Sequence, residues 1–130
     1  MKKINLILAF FLILLLSCSE NNDSQKFNLT DDTTGICDDP RLNDPEDGTI
    51  CCIQRNSQLS IDSTVEYEYK TNIPNPSIKW TVVSGDINIV SDTNSNILVI
   101  EFGNNFNKGE INCVGESSEI CTESVLIVKE

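Results

Sequence analysis

Apolar and polar side chains alternate with period two through the second half of this chain, and that alternation narrows the possible folds more than any other feature. Val65, Tyr67 and Tyr69 alternate with Glu66, Glu68 and Lys70, and Ile78, Trp80 and Val82 with Ser77, Lys79 and Thr81. Successive residues of a strand point to opposite faces, so such runs of β-branched and aromatic residues are half-buried strands. Further runs follow at 87–90, 97–102, 111–114 and 125–128, and an earlier one at 58–61 is expected to supply the first strand. Between them stand the turn signals Asn75-Pro76, Ser84-Gly85-Asp86, Gly103-Asn104-Asn105 and Lys108-Gly109. About seven strands at this spacing, with no helical periodicity, predict an all-β chain folded as a β-sandwich.

Strand parity predicts the core. Val65, Tyr67, Tyr69, Ile78, Trp80, Val82, Leu98, Ile100, Phe102 and Ile111 should face inward, with Ile127 or its neighbours closing the second sheet. Trp80 sits between Ile78 and Val82 in an alternating run, so it is read as core and not as a carbohydrate-stacking platform; the two tyrosines are read the same way. A domain over residues 53–130 is small for a single core, and cross-links would help it.

The other end of the chain is different. Met1-Lys2-Lys3 is a short cationic start, and residues 4–16 are apolar except for Asn5 before the run stops at Ser17 and Cys18. This is the h-region of a signal peptide, too short for a spanning helix of about 20 apolar residues. Leu15-Leu16-Ser17-Cys18 resembles the bacterial lipobox. That resemblance implies cleavage after Ser17, a signal peptide over 1–17, and lipidation of Cys18 by several acyl chains, enough for stable anchoring. Ser19 is not the Asp that retains some lipoproteins at the inner membrane, and Ser-Glu-Asn-Asn-Asp after the Cys resembles the export signals of surface lipoproteins. The expected location is therefore the outer membrane, facing outward.

Loss of residues 1–17 removes Lys2 and Lys3 and leaves 20 acidic against 7 basic side chains, a net charge of −13. Nucleic acid is excluded as a partner, because phosphate neutralisation needs Lys and Arg. There is no His, which removes imidazole-based triads and the commonest metal ligand. Residues 18–52 are rich in Asn, Asp, Ser, Thr and Glu and poor in apolar side chains, so they read as an acidic flexible tether, most clearly up to Ile36. The acidic stretch at 38–48 has carboxylates, but Pro40 and Pro45 interrupt the alternation that a calcium loop requires and no Glu closes it. A solvated loop with a turn at Asp47-Gly48 is expected, with no metal and no cofactor.

From residue 53 onward the chain resembles the PKD-like, immunoglobulin-type domains of bacterial surface proteins. The likeness rests on the Tyr-x-Tyr strand (Tyr67, Tyr69), Trp80-Thr81-Val82-Val83-Ser84-Gly85-Asp86-Ile87, Ile97-Leu98-Val99-Ile100-Glu101-Phe102-Gly103, Gly109-Glu110-Ile111, a following Cys, and a final Ser-x-Leu-x-Val strand. Phe102 stands where many members carry Trp. The resemblance implies an immunoglobulin-like sandwich with a spacer or binding role, and no catalysis.

Five cysteines remain beyond Cys18: Cys37, Cys51, Cys52, Cys113 and Cys121. Without paired Cys-x-x-Cys spacing, disulfides are the simpler reading than metal. Cys113 and Cys121 flank a hairpin between the last two strands and are expected to pair. Cys37 is expected to pair with Cys51 or Cys52, which point to opposite faces. One thiol is left over, either buried and inert or bridging to another molecule; a redox catalyst ranks third. No Cys lies in the Tyr67 strand, so the inter-sheet bridge of antibody domains is not expected.

These readings lead to a membrane-anchored surface lipoprotein whose immunoglobulin-like domain serves as a binding or accessory module for a protein or glycan partner. The alternative is a purely structural spacer of the envelope. A hydrolase ranks below both, since Glu66 and Glu68 lie on one strand face and read as solvated positions.

Overall fold

A computed structural model of the chain describes residues 29–33, 37–44, 46, 48–56 and 64–130. Cys18, the signal peptide and the strand expected at 58–61 lie outside the described residues. The elements are β1 (Leu29–Thr33), a 3-10 turn (Pro40–Asn43), β2 (Cys51–Asn56), β3 (Thr64–Thr71), β4 (Ser77–Ser84), β5 (Ile87–Ile89), β6 (Ile97–Phe102), β7 (Lys108–Glu116) and β8 (Ile120–Lys129). They form two antiparallel four-stranded sheets, ordered β1-β8-β7-β4 and β2-β3-β6-β5, packed as a β-sandwich.

The core lies between the sheets. Tyr67, Tyr69, Trp80, Leu98, Ile100, Phe102, Ile111 and Ile127 are buried, as strand parity predicts, whereas Val65, Ile78 and Val82 are half-buried against the cluster. The interior also takes Ile53, Ile87, Phe106, Cys113 and Val125. Burial of an aliphatic or aromatic side chain of this size contributes about 1.5–3 kcal/mol, so this set is the main source of stability. Trp80 meets Tyr69 edge to face at 6.3 Å and satisfies its indole N–H on the Ser95 carbonyl at 2.8 Å.

The 18–52 stretch departs from a plain tether. Its residues 29–33 pair along β8 from Leu29↔Lys129 to Thr33↔Val125, extending the sheet by one strand. The strand is nearly all polar, and a polar edge strand carries no periodic apolar signal. A second departure is β2, which begins at Cys51 and pairs with β3 from Cys51↔Thr71 to Asn56↔Glu66.

Register also fixes the two ends of the sandwich. Leu29, Lys129, the turn at 85–86 and the loop at 103–107 lie at one end. The loops at 72–76 and 117–119 lie at the other, because Ser77 pairs with Glu116 and Glu116 with Ile120. The turn at the first end needs glycine: Gly85 has φ +93°, and a Cβ there would stand 2.6 Å from Gly109 Cα and 2.7 Å from the Lys108 carbonyl oxygen.

Candidate functional site

Two features stand out: a covalent hub around Cys51 and Cys52, and the loop end opposite Leu29. Cys51 and Cys52 are neighbours on β2, so their side chains leave opposite faces of the sheet. Cys51 crosses the core to Cys121 on β8, with Cα atoms 6.0 Å apart, and Cys52 takes Cys37, with Cα atoms 5.2 Å apart. The first bridge joins the two sheets; the second fastens the acidic segment to the outside. In the loop-entropy account, sequence separations of 15 and 70 correspond to about 3 and somewhat over 4 kcal/mol.

The expected Cys113–Cys121 bridge is therefore corrected. The hairpin register sets Cys113 opposite Glu123 and Gly115 opposite Cys121, which makes the two cysteines diagonal neighbours. Diagonal positions lie about 7–8 Å apart, beyond the usual Cα span of a disulfide. Cys113 is the free cysteine among the described residues; it is buried, and desolvation pushes its thiol up to about 12. An inter-sheet bridge does exist, between β2 and β8, while the Tyr67 strand is free of cysteine.

Tyr69 packs beside this hub. Its hydroxyl donates to the Cys121 carbonyl at 2.9 Å, from one sheet to the other, and burial pushes it up to about 12. The ring sits against Gly115, where a Cβ would stand 2.7 Å from Tyr69 Oη. Tyr67 acts at the β1 edge: its hydroxyl donates to Asp31 Oδ1 at 3.0 Å, while Arg55 Nε stands 3.0 Å from Asp31 Oδ2 and Arg55 also donates to the Leu29 carbonyl. Burial raises the Asp31 carboxyl above its usual value, against the opposing pull of Arg55 and Tyr67. Tyr67 is also raised, by burial first and by the neighbouring Asp31 second.

The loop end opposite Leu29 is ordered by local hydrogen bonds. Asn72, buried, donates through Nδ2 to the Asp44 and Gly48 carbonyls at 2.9 and 2.6 Å and accepts from Ile50 N at 2.9 Å, holding Asp44, Gly48 and Ile50 against the β3–β4 loop. Asp92 Oδ1 accepts from Asn94 N at 2.8 Å, and Trp80 N donates to the Thr93 carbonyl, drawing the β5–β6 loop to β4. Ser117 N donates to the Glu119 carbonyl at the tip of the last hairpin. Just beyond that tip Ile120 is 63% exposed, the most exposed of the large apolar side chains among the described residues. The surface is thus polar, with Asn, Asp, Ser and Glu, and Ile120 and Val90 are large apolar side chains exposed beside it.

The other carboxylates have local duties. Asp39 caps the 3-10 turn through Arg41 N at 2.9 Å and pairs with the Arg41 side chain, which lowers its carboxyl; Asp44 Oδ1 accepts from Glu46 N at 3.0 Å. Glu66 accepts from Asn56 and Glu68 from Gln54 across the β2–β3 pair. Sequence reading had no signal for Asn72 or the Asp31–Arg55–Tyr67 cluster, whose members come together only through pairings far apart in the chain. No protein-family model, curated protein or solved structure matches the chain.

Proposed function

We propose that this chain is a lipid-anchored surface lipoprotein whose domain is of the immunoglobulin type, PKD-like, and acts as a binding or accessory module. The observation that carries the reading is strand order. With β2 to β8 taken as strands A to G, the sheets read A-B-E-D and C-F-G, the arrangement of the constant-type immunoglobulin sandwich, with β1 added beside G. In such sandwiches ligands are met by loops clustered at one end. Here the loops at 72–76 and 117–119 lie at the end away from Leu29, which is the end a tether from Cys18 would hold outermost. Their Asn75, Ser117, Ser118 and Glu119 side chains suit a polar protein or glycan surface, with Ile120 as the apolar anchor.

The anchor is tested by metabolic labelling with a palmitate analogue: label on the wild-type chain and none on Cys18→Ser is expected. Binding is tested by passing cell-surface extracts and a glycan array over the purified domain. Ile120→Asp should reduce retention, while Val83→Asp, exposed at the opposite end, should not. If nothing is retained, or if the two variants behave alike, the binding reading gives way to the spacer.

A further inference from the structure

We propose that the two disulfides form a covalent tension path that carries load between the N-terminal segment and the C-terminal strand and leaves β3 to β7 out of the line of tension. The path starts at Cys37, crosses to Cys52, takes one peptide bond back to Cys51, and crosses again to Cys121 on the last strand. Vicinal cysteines with bridges in opposite directions join two separate loops into one route. Everything from position 53 to position 120, which includes β3 to β7, hangs off that route as a side loop and bears no tension along the backbone.

The entry to the path is also guarded. Leu29 pairs with Lys129, so the strand that leads in from the N-terminus lies beside the strand that leads out. Load on the two ends unzips β1 from β8 before it reaches Cys37. That pairing is reinforced by the contacts of Asp31 to Arg55 and Tyr67 and by the hydrogen bond between Thr30 and Glu130. β1 therefore yields first and the bridges stop the extension. The direction of load, a tether from Cys18 on one side and a bound partner on the other, rests on the proposed function; the path itself does not.

The extension that each state permits follows from chain geometry at about 3.4 Å per residue. With both bridges closed, only the stretches 29–37 and 121–130 can straighten, which adds about 70 Å including the bridge spans. With both open, the chain from 37 to 121 is released as well, adding about 280 Å more.

The experiment is single-molecule pulling on the mature chain, oxidised in the periplasm, with Cys18→Ser and folded protein handles fused to both ends. The expected rupture increment is about 70 Å without reductant and about 350 Å after dithiothreitol. An increment of several hundred Å in the oxidised chain overturns the proposal, because it means that the core lies in the line of tension. So does an increment unchanged by reductant. The Cys51→Ser/Cys121→Ser variant should release all but the short loop from Cys37 to Cys52; should it fail to fold, the reductant comparison on the wild-type bridges decides alone. Failure of palmitate labelling with the two-step extension intact would remove the anchor and leave the tension path.

Discussion

Replacing Gly115 by Ala adds one methyl group against Tyr69, beside the disulfide hub. That methyl carbon would stand 2.7 Å from Tyr69 Oη, 2.8 Å from Cε1 and 3.1 Å from Cζ. Tyr69 has little room to withdraw, since it is buried, donates to the Cys121 carbonyl and packs edge to face on Trp80. Overpacking in such a core costs about 1–3 kcal/mol, and a displaced hydroxyl forfeits a hydrogen bond of about 1 kcal/mol. The entropy that Ala removes from the unfolded chain returns about 0.4–1 kcal/mol, so the net loss should be about 2–3 kcal/mol. Tyr69→Phe alone should cost about 1 kcal/mol by loss of the hydrogen bond. In the double variant the nearest clash is gone, and the combined loss should fall below the sum of the singles by about 1 kcal/mol. Guanidinium unfolding of the oxidised chain measures all four proteins, with m-values checked for constancy. A Gly115→Ala variant within 0.5 kcal/mol of wild type, or strict additivity in the double, would refute the packing described.

The two tyrosines of this chain are both raised in the folded state. Native protein should show no tyrosinate absorbance at pH 10, where denatured chain is half ionised; a native midpoint near 10 would count against their burial. The linked stability is fully present below the unfolded value near 10 and is lost as pH rises toward the folded values, so an unfolding midpoint that falls between pH 10 and pH 12 is expected. Cys113 should resist iodoacetamide in the native state and react fully in denaturant, and rapid native labelling would show an open core. Arg55→Ala should loosen β1 alone, raising hydrogen exchange at Leu29–Thr33 by about 5- to 30-fold with the rest unchanged, in line with about 1–2 kcal/mol for a largely buried ion pair and its hydrogen bond to the Leu29 carbonyl. Because burial raises the Asp31 carboxyl, β1 docking should be tightest below the usual carboxylate value and weaken as pH rises through the raised one; exchange at matched intrinsic rates, compared at pH 4 and pH 7, checks the sign.

Strand parity is a local property, and so the interior was legible where the alternation was unbroken. Tyr67, Tyr69 and Trp80 could be placed inward from their neighbours alone. Ile73 and Phe106 could not, because they enter the core from the loops beyond β3 and β6, where no period exists. β1 escaped for a related reason: Leu-Thr-Asp-Asp-Thr looks like solvated linker, and its strand character comes from the free edge of β8. At the loop end, Ile120 stands alone between Glu119 and Cys121 with no alternation to place it, and the hairpin register sets it beside the tip, where it is exposed.

The cysteines show why connectivity needs topology as well as spacing. Cys113 and Cys121 are close along a hairpin, yet a turn that pairs Glu116 with Ile120 sets them out of step by two residues. Cys51 and Cys121 are separated by 70 positions and meet because β2, at the edge of one sheet, lies across from β8, the second strand of the other. The vicinal pair then has a physical rationale that neither cysteine has alone. A strand with one cysteine can be tied inward or outward; a strand with two consecutive cysteines is tied both ways at one level. The outward tie holds the segment that arrives from the N-terminus, and the inward tie reaches the strand that leaves at the C-terminus. Between them, the segment from 53 to 120, with the loops at 72–76 and 117–119, is bypassed by the covalent route from Cys37 to Cys121.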